Sequence, residues 1–414
     1  MKFDFQIRPE EGKIRGVWTL QRQDRVSNRF YLNRSFVIDQ ALVDGQEVNL
    51  VCKQVTIPRL FDYKVACYDL PLGQEVKITY TGVLDGSTGS TPYAKETIGP
   101  NFSLLRFETF CYPLFCTEEM NYYTKQAKGP FELTVRAPSD YVVLSNLDDV
   151  HNNSGNQEGL FNFEGSNLNI SAAIGIFKSQ ETPLGTVYLQ EDKTDLTDFI
   201  DQSAQGIEFL NQTFGERNIR PDQKIVGMEA SLGSYVQEGI IFMASSAFGS
   251  PHYLSHFIHE YAHLGWNPKA DGLVQRCRFF DEAITCYMED RVMEHLKGLE
   301  YKDQVIKKRM GRFKDQWAKL EQAVAIREFG AHELGDLSYT IGAYLIHQLE
   351  DQMGRTQLDK ALTQVIDDFH ELPIDFEHFV DVICLHSDKE DTRSFVEACL
   401  YEVDMLNKWS LEVI

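Results

Sequence analysis

No run of about 18 apolar residues occurs in the 414-residue chain, so an ordinary membrane-spanning helix is not expected. Positive charge is also in short supply. Forty lysines and arginines face 62 acidic residues, giving a formal charge of −22 and a pI near 4.9. Nucleic acid and anionic membrane both reward clustered Lys and Arg, so neither is expected as a partner. The opening MKFDFQIRPE has charges but no apolar core of the signal-peptide kind, and a cytoplasmic location is expected. The eight cysteines (Cys52, Cys67, Cys111, Cys116, Cys277, Cys286, Cys384 and Cys399) show no paired metal-binding spacing, and most read as buried reduced thiols. Internal repeats and low-complexity linkers are absent too.

What is present is enough apolar material, 43% of residues, for two or three ordinary domain cores. Up to about residue 182 the chain alternates in short β-like runs such as RFYLNRSFVI, EVKITYTGVL and FELTVRA, separated by DG, GST and PSD turns. This predicts an N-terminal antiparallel β-sandwich-like domain over 1–182. From 183 the texture changes: TVYLQ and KIVGM read as strands, DLTDFIDQSAQGIEFLNQTFG as a helix, and the chain beyond His252 as helices. The expected class is a multidomain α+β protein whose second domain, 183–414, is an α/β unit ending in helices. The apolar stripes of those later helices read as core faces.

The stretch HFIHEYAHLGW, His256 to Trp266, carries the chemistry. On a helix, His259 and His263 lie one turn apart on one face, where both imidazoles reach a single ion. Zinc suits neutral imidazole, and a catalytic zinc keeps three protein ligands and a water. Glu260 would stand beside that water as general base, the arrangement of the H-E-x-x-H metalloprotease signature. A third ligand is available in FFDEAITCYMEDRV, where Glu282 follows His263 after eighteen residues. Requiring that acid lowers the accidental match from about one chain in twenty to about one in 150. His256, one turn before His259, reads as an ordinary packed or solvated histidine.

In these motifs the chain resembles the aminopeptidase N and leukotriene hydrolase group of zinc peptidases, a gluzincin family. That family's second helix reads L-N-E-G-F-A, and FDEAITCY is similar, with Asp281 in place of asparagine and Ala283 in place of glycine. LSYTIGAYLIHQLEDQMG resembles its Y-x-K-G motif, with Tyr339 as the tyrosine and Ile341 in place of the lysine. The resemblance implies a thermolysin-like catalytic domain, one Zn²⁺ held by His259, His263 and Glu282, catalysis by Glu260, and Tyr339 as hydrogen-bond donor to the oxyanion. Asp281 would orient a metal-ligating imidazole or else lie on the helix surface. The chain stops about 75 residues after Tyr339, so the family's large C-terminal helical cap is expected to be absent.

The family's G-x-M-E-N strand, whose glutamate binds the free amine of the substrate, is degenerate in KIVGMEASLGSYVQEGIIFMASS. One register sets Gly227, Met228 and Glu229 on the motif. The preferred register sets Gly233 to Gln237 on it, leaving Gln237 and the adjacent Glu238 as the polar candidates. The expected activity is zinc-dependent peptide hydrolysis of aminopeptidase type on a peptide substrate. The rivals are an endopeptidase with an open cleft and a catalytically degenerate peptidase-fold protein that binds a peptide or partner.

Overall fold

The computed structural model describes the chain except residues 25–26, 58–62, 85–96, 116–128, 155–157, 191–194, 221, 229–232, 250–252, 269–276, 333, 370–373 and 413–414. It is an α+β fold that divides into two compact units. One comprises Met1–Thr194 with Arg220–Ser246, the other Asp195–Ile219 with Ala247–Ile414.

The first unit is built of sheets. Lys2–Arg8 alternates strictly, burying Phe3, Phe5 and Ile7, and Lys13–Gln21 buries Ile14, Trp18 and Leu20 in the same period of two. These two strands pair antiparallel at the middle of an eight-stranded sheet. Its order is Asp148–Ser154, Glu158–Asn167, Gly129–Pro138, Lys2–Arg8, Lys13–Gln21, Glu75–Val83, Val37–Val43, Gln46–Glu47. Two four-stranded sheets complete the β layers. Trp18, Phe30 and Tyr112 fill the core between them, so the alternation seen in the sequence is the alternation of one buried and one solvated face.

The same unit holds a five-stranded sheet in the order Lys178–Thr182, Gly185–Leu189, Lys224–Met228, Ile240–Ala244, Tyr235–Gln237. Its middle strands are parallel and read as continuous apolar runs, IVGM and IIFM, because both faces are covered. Val226, Met228, Ile240 and Phe242 pack against Phe102, Leu104 and Leu144. Tyr235–Gln237 forms the antiparallel edge, with Tyr235 opposite Phe242 and Gln237 opposite Ile240.

The second unit is helical. Its helices are α1 (Thr197–Phe214), α2 (Leu254–Gly265), α3 (Ile284–Lys297), α4 (Leu299–Trp317), α5 (Ile341–Met353), α6 (Arg355–Phe369), α7 (Phe376–His386), α8 (Thr392–Tyr401) and α9 (Val403–Leu411). Leu254, Phe257, Ile258 and Ala262 form the buried stripe of α2 at helical spacing. A Cβ on Gly206 of α1 would lie 2.7 Å from Ile258 and 2.8 Å from Val292, so this glycine lets α1 press onto α2 and α3. Gly298, at φ 91°, ends α3 in a conformation that side chains resist, and α4 starts at the next residue. Among the described residues, no helix is long and apolar enough to cross a membrane.

Candidate metal centre

His259 and His263 are separated by one turn of α2, and their Nε2 atoms converge to 3.2 Å. Glu282 comes from a different element. A π-helical turn, Phe279–Ala283, leads into α3, and Arg278 enters it in the left-handed region at φ 57°. The wider turn aims Glu282 inward, buried, with Oε2 lying 3.1 Å from His259 Nε2 and 3.4 Å from His263 Nε2. A tetrahedral zinc with bonds of about 2.0–2.1 Å requires neighbouring ligand atoms about 3.3–3.4 Å apart. Two imidazole nitrogens and one carboxylate oxygen at 3.1–3.4 Å are therefore a zinc donor set in chemistry and in spacing.

Each imidazole is held from its other nitrogen. Glu289 Oε2 sits 3.1 Å from His259 Nδ1, and Thr285 Oγ1 sits 3.3 Å from His263 Nδ1. Both supports are on α3, and Glu289 lies seven residues past Glu282, two turns along the same side of the helix. Burial works against the Glu282 charge, but Arg278 and the two imidazoles outweigh it and hold the carboxyl well below the usual carboxylate range. The other oxygen of Glu282, Oε1, accepts a hydrogen bond from Arg278. The carboxylate thus presents a single oxygen, Oε2, to the imidazoles.

His259 also belongs to a second group of donors, with Cys286 and Glu289. There Cys286 Sγ is 3.9 Å from the same Nδ1 that Glu289 engages, and the Arg309 guanidinium stands 3.3 Å from Glu289 Oε2. Arg309 and His259 both engage the Oε2 atom of Glu289, so this carboxylate oxygen is already shared between two side chains, and the second group is read as a support for His259. Glu289 is a candidate support for His259 that the motif reading missed. Glu289→Gln should weaken zinc binding about 10–100-fold, because a carboxylate that fixes the imidazole tautomer is exchanged for an amide. Competition with a chromogenic chelator reads this directly, and unchanged affinity would make the Glu289 contact incidental.

Glu260 is buried next to His259 on α2. Burial raises its pKa, and the two neighbouring imidazoles pull it part of the way back, which leaves a carboxylate more basic than one in water. Asp281 Oδ1 accepts from the backbone N–H of Glu282 at 2.9 Å, and burial, with the Glu282 charge, pushes its own pKa up to about 6. Tyr339 closes a 3₁₀ turn, Gly335–Tyr339, and its ring stacks on His259 with centroids 5.9 Å apart. Gly342, three residues on, makes this placement workable: a Cβ there would meet the Ala283 Cβ at 2.9 Å, so the start of α5 can lie against the π turn. His256 packs edge-on against Tyr253.

The amine-site candidates belong to the other unit. Gln237 ends the edge strand, and the Glu238 backbone carbonyl accepts from Asn167 Nδ2 at 3.2 Å. Gly227 and Met228, by contrast, lie on an interior strand, and Glu229 falls outside the described residues.

No protein-family model matches the sequence, and no curated protein matches it. Solved structures do. Yeast LTA4 hydrolase in complex with bestatin is similar over 97% of this chain and 67% of its own, with a TM-score of 0.70 at 14% identity. The M1 zinc metallopeptidase of Deinococcus radiodurans, in a mutant form bound to a Tyr-Ser-Ala substrate, is similar over 97% of this chain and 94% of its own, with a TM-score of 0.66 at 14% identity. The chain has the M1 zinc metallopeptidase fold. At this identity the likeness speaks for the fold alone, and any chemistry rests on the chain's own residues.

Proposed function

We propose that this chain is a zinc-dependent peptidase, most closely aminopeptidase-like, with His259, His263 and Glu282 as metal ligands. The observation that carries the reading is the convergence of two Nε2 atoms and one carboxylate oxygen at tetrahedral spacing, with buried Glu260 on the same helix. Zinc bound there would bring a water's pKa toward 7 and polarise a carbonyl. Glu260 would take a proton from the attacking water as its oxygen bonds to the amide carbon. The same carboxyl then delivers the proton to the amine nitrogen as the C–N bond breaks, so one base serves both steps. Tyr339 donates to the carbonyl oxygen as negative charge gathers on it. The division into a β-domain at 1–182 and a catalytic half at 183–414 is part of the proposal and rests on the change of sequence texture at that point.

Exopeptidase action needs an acceptor for the substrate ammonium, because a desolvated cation without a partner loses several kcal/mol of binding. Glu229, Glu238 and Gln237 are the candidates. Edge-strand placement of Tyr235–Gln237 favours the register with no glutamate at the docking position, and that supports endopeptidase action as the second reading. The deciding measurement is a product ladder from a ten-residue peptide and its N-acetylated twin, read by mass spectrometry with zinc-loaded protein. Single-residue steps on the free amine alone are expected, and Glu229→Gln or Glu238→Gln should abolish the preference. Internal cuts in both twins would establish the endopeptidase instead. Binding of both peptides without any cut would leave a peptide-binding protein on a peptidase fold.

A further inference from the structure

Arg278 is unaccounted for by the zinc motif, yet its guanidinium reaches two of the motif's members. Nη2 donates to Tyr339 Oη at 2.7 Å and also to Glu282 Oε1, while Nη1 donates to Asp336 Oδ1 at 3.3 Å. The guanidinium carbon lies 5.0 Å from the centre of the Tyr339 ring. Arginine only donates, so in this pair the phenol oxygen must accept and its own proton must point away from Arg278. A phenol that accepts from a cation is polarised and becomes a stronger donor.

The backbone gives a second, independent indication. Arg278 is held at φ 57°, ψ 16°, a left-handed conformation that glycine adopts without penalty and a long side chain does not. A residue kept there against local preference is kept for its side chain.

We infer that Arg278 is a positioning residue for hydrolysis: by donating to Tyr339 it turns the phenol proton toward the substrate carbonyl oxygen, and by holding Glu282 Oε1 it keeps Oε2 as the single metal-facing atom. The inference rests on the peptidase reading above. It adds a role that the H-E-x-x-H and Glu282 pattern does not contain.

The test is a double-mutant cycle between Arg278→Gln and Tyr339→Phe, with Arg278→Gly and Arg278→Lys alongside. Tyr339→Phe should lower kcat by about 10²–10³ with KM little changed, as for a lost oxyanion donor. Arg278→Gln alone should lower kcat by about 10–100-fold, and in the Tyr339→Phe background it should cost less than about threefold more. Arg278→Gly relieves the left-handed backbone but also removes the partner of buried Glu282, so a kcat loss matching that of Arg278→Gln, at full zinc occupancy and after correction for any shift in melting temperature, assigns the effect to the side chain and not to the backbone. Arg278→Lys, with its point charge and no fork, should recover only part of the loss. Zinc per chain, measured on every variant, should stay near one. Independent losses that multiply in the double mutant, or a kcat loss that follows zinc loss, would overturn the inference.

A phosphinic peptide, whose tetrahedral phosphorus carries anionic oxygens, gives a readout apart from turnover. Its affinity should fall in both Arg278→Gln and Tyr339→Phe, by the larger factor in Tyr339→Phe, and by less than about threefold further in the double mutant. If the zinc-loaded wild type cut no peptide, the peptidase reading would fail on its own. The phosphinate cycle would still decide on Arg278, since unchanged affinity in Arg278→Gln overturns its role.

Discussion

Glu260→Gln should keep about one zinc per chain and lose peptide hydrolysis by a factor of about 10²–10⁴, the range a positioned general base contributes. The amide is nearly isosteric, so the packing of α2 around Leu254, Phe257 and Ile258 is kept. What disappears is the only function assigned to this side chain, proton transfer from the water to the leaving amine. Burial makes the carboxylate unusually basic here, which suits it to take a proton from water and makes its loss costly. Metal content by elemental analysis and kcat on a single peptide are sufficient. A variant that loses its zinc would make Glu260 structural, and one that turns over normally would place the base elsewhere.

His263→Ala and His259→Ala should each remove the metal, and activity should fall to the background of the buffer. Two ligands of this set leave zinc with open, water-exchangeable positions, and three are what close a catalytic site around one water. The two variants should differ in stability. His263→Ala keeps the bond between His259 Nδ1 and Glu289, whereas His259→Ala removes the partner that Glu282 and Glu289 share. The latter should be less stable by about 1–3 kcal/mol, the cost of leaving a buried acceptor unmatched. Arg278 on Glu282 and Arg309 on Glu289 keep that cost from rising further. Urea melts of the metal-free proteins compare the two. Equal stabilities would make the Glu289 bond energetically idle, and full zinc occupancy in the double variant would sink the ligand assignment.

The parts of the site that could be read from the sequence are those fixed by local spacing. His259, Glu260 and His263 sit on one helical turn, and the interval to Glu282 carries the pattern of a second helix. The strands of the first unit were legible for the same reason, since Phe3, Phe5 and Ile7 spell their period outright. Glu289 needed only one more count along α3. Arg278 and Arg309 were hidden for a stronger reason. An arginine four residues before a glutamate looks like an ordinary surface pair on a helix. Its second partner, Tyr339, is 61 residues away and meets it only because the chain folds back through the 3₁₀ turn. Arg309 likewise gains its meaning from Glu289 and Asp290 on a neighbouring helix. The amine-site register stayed open because sheet order is a tertiary property, and a three-residue strand such as Tyr235–Gln237 carries too few alternations to fix it.

The π turn at Phe279–Ala283 winds one residue more into its loop than an α-helix would. Excising Ala283 would let the segment regularise, while Ile284, Tyr287 and Met288 downstream keep their places in the core. Glu282 would advance by one position and swing about 100° around the axis, off the point where the imidazoles meet. The loss of a single codon would therefore disperse the candidate metal ligands while the helices downstream kept their packing. In comparing relatives of this chain, the length of that short segment is as telling as the identity of its glutamate.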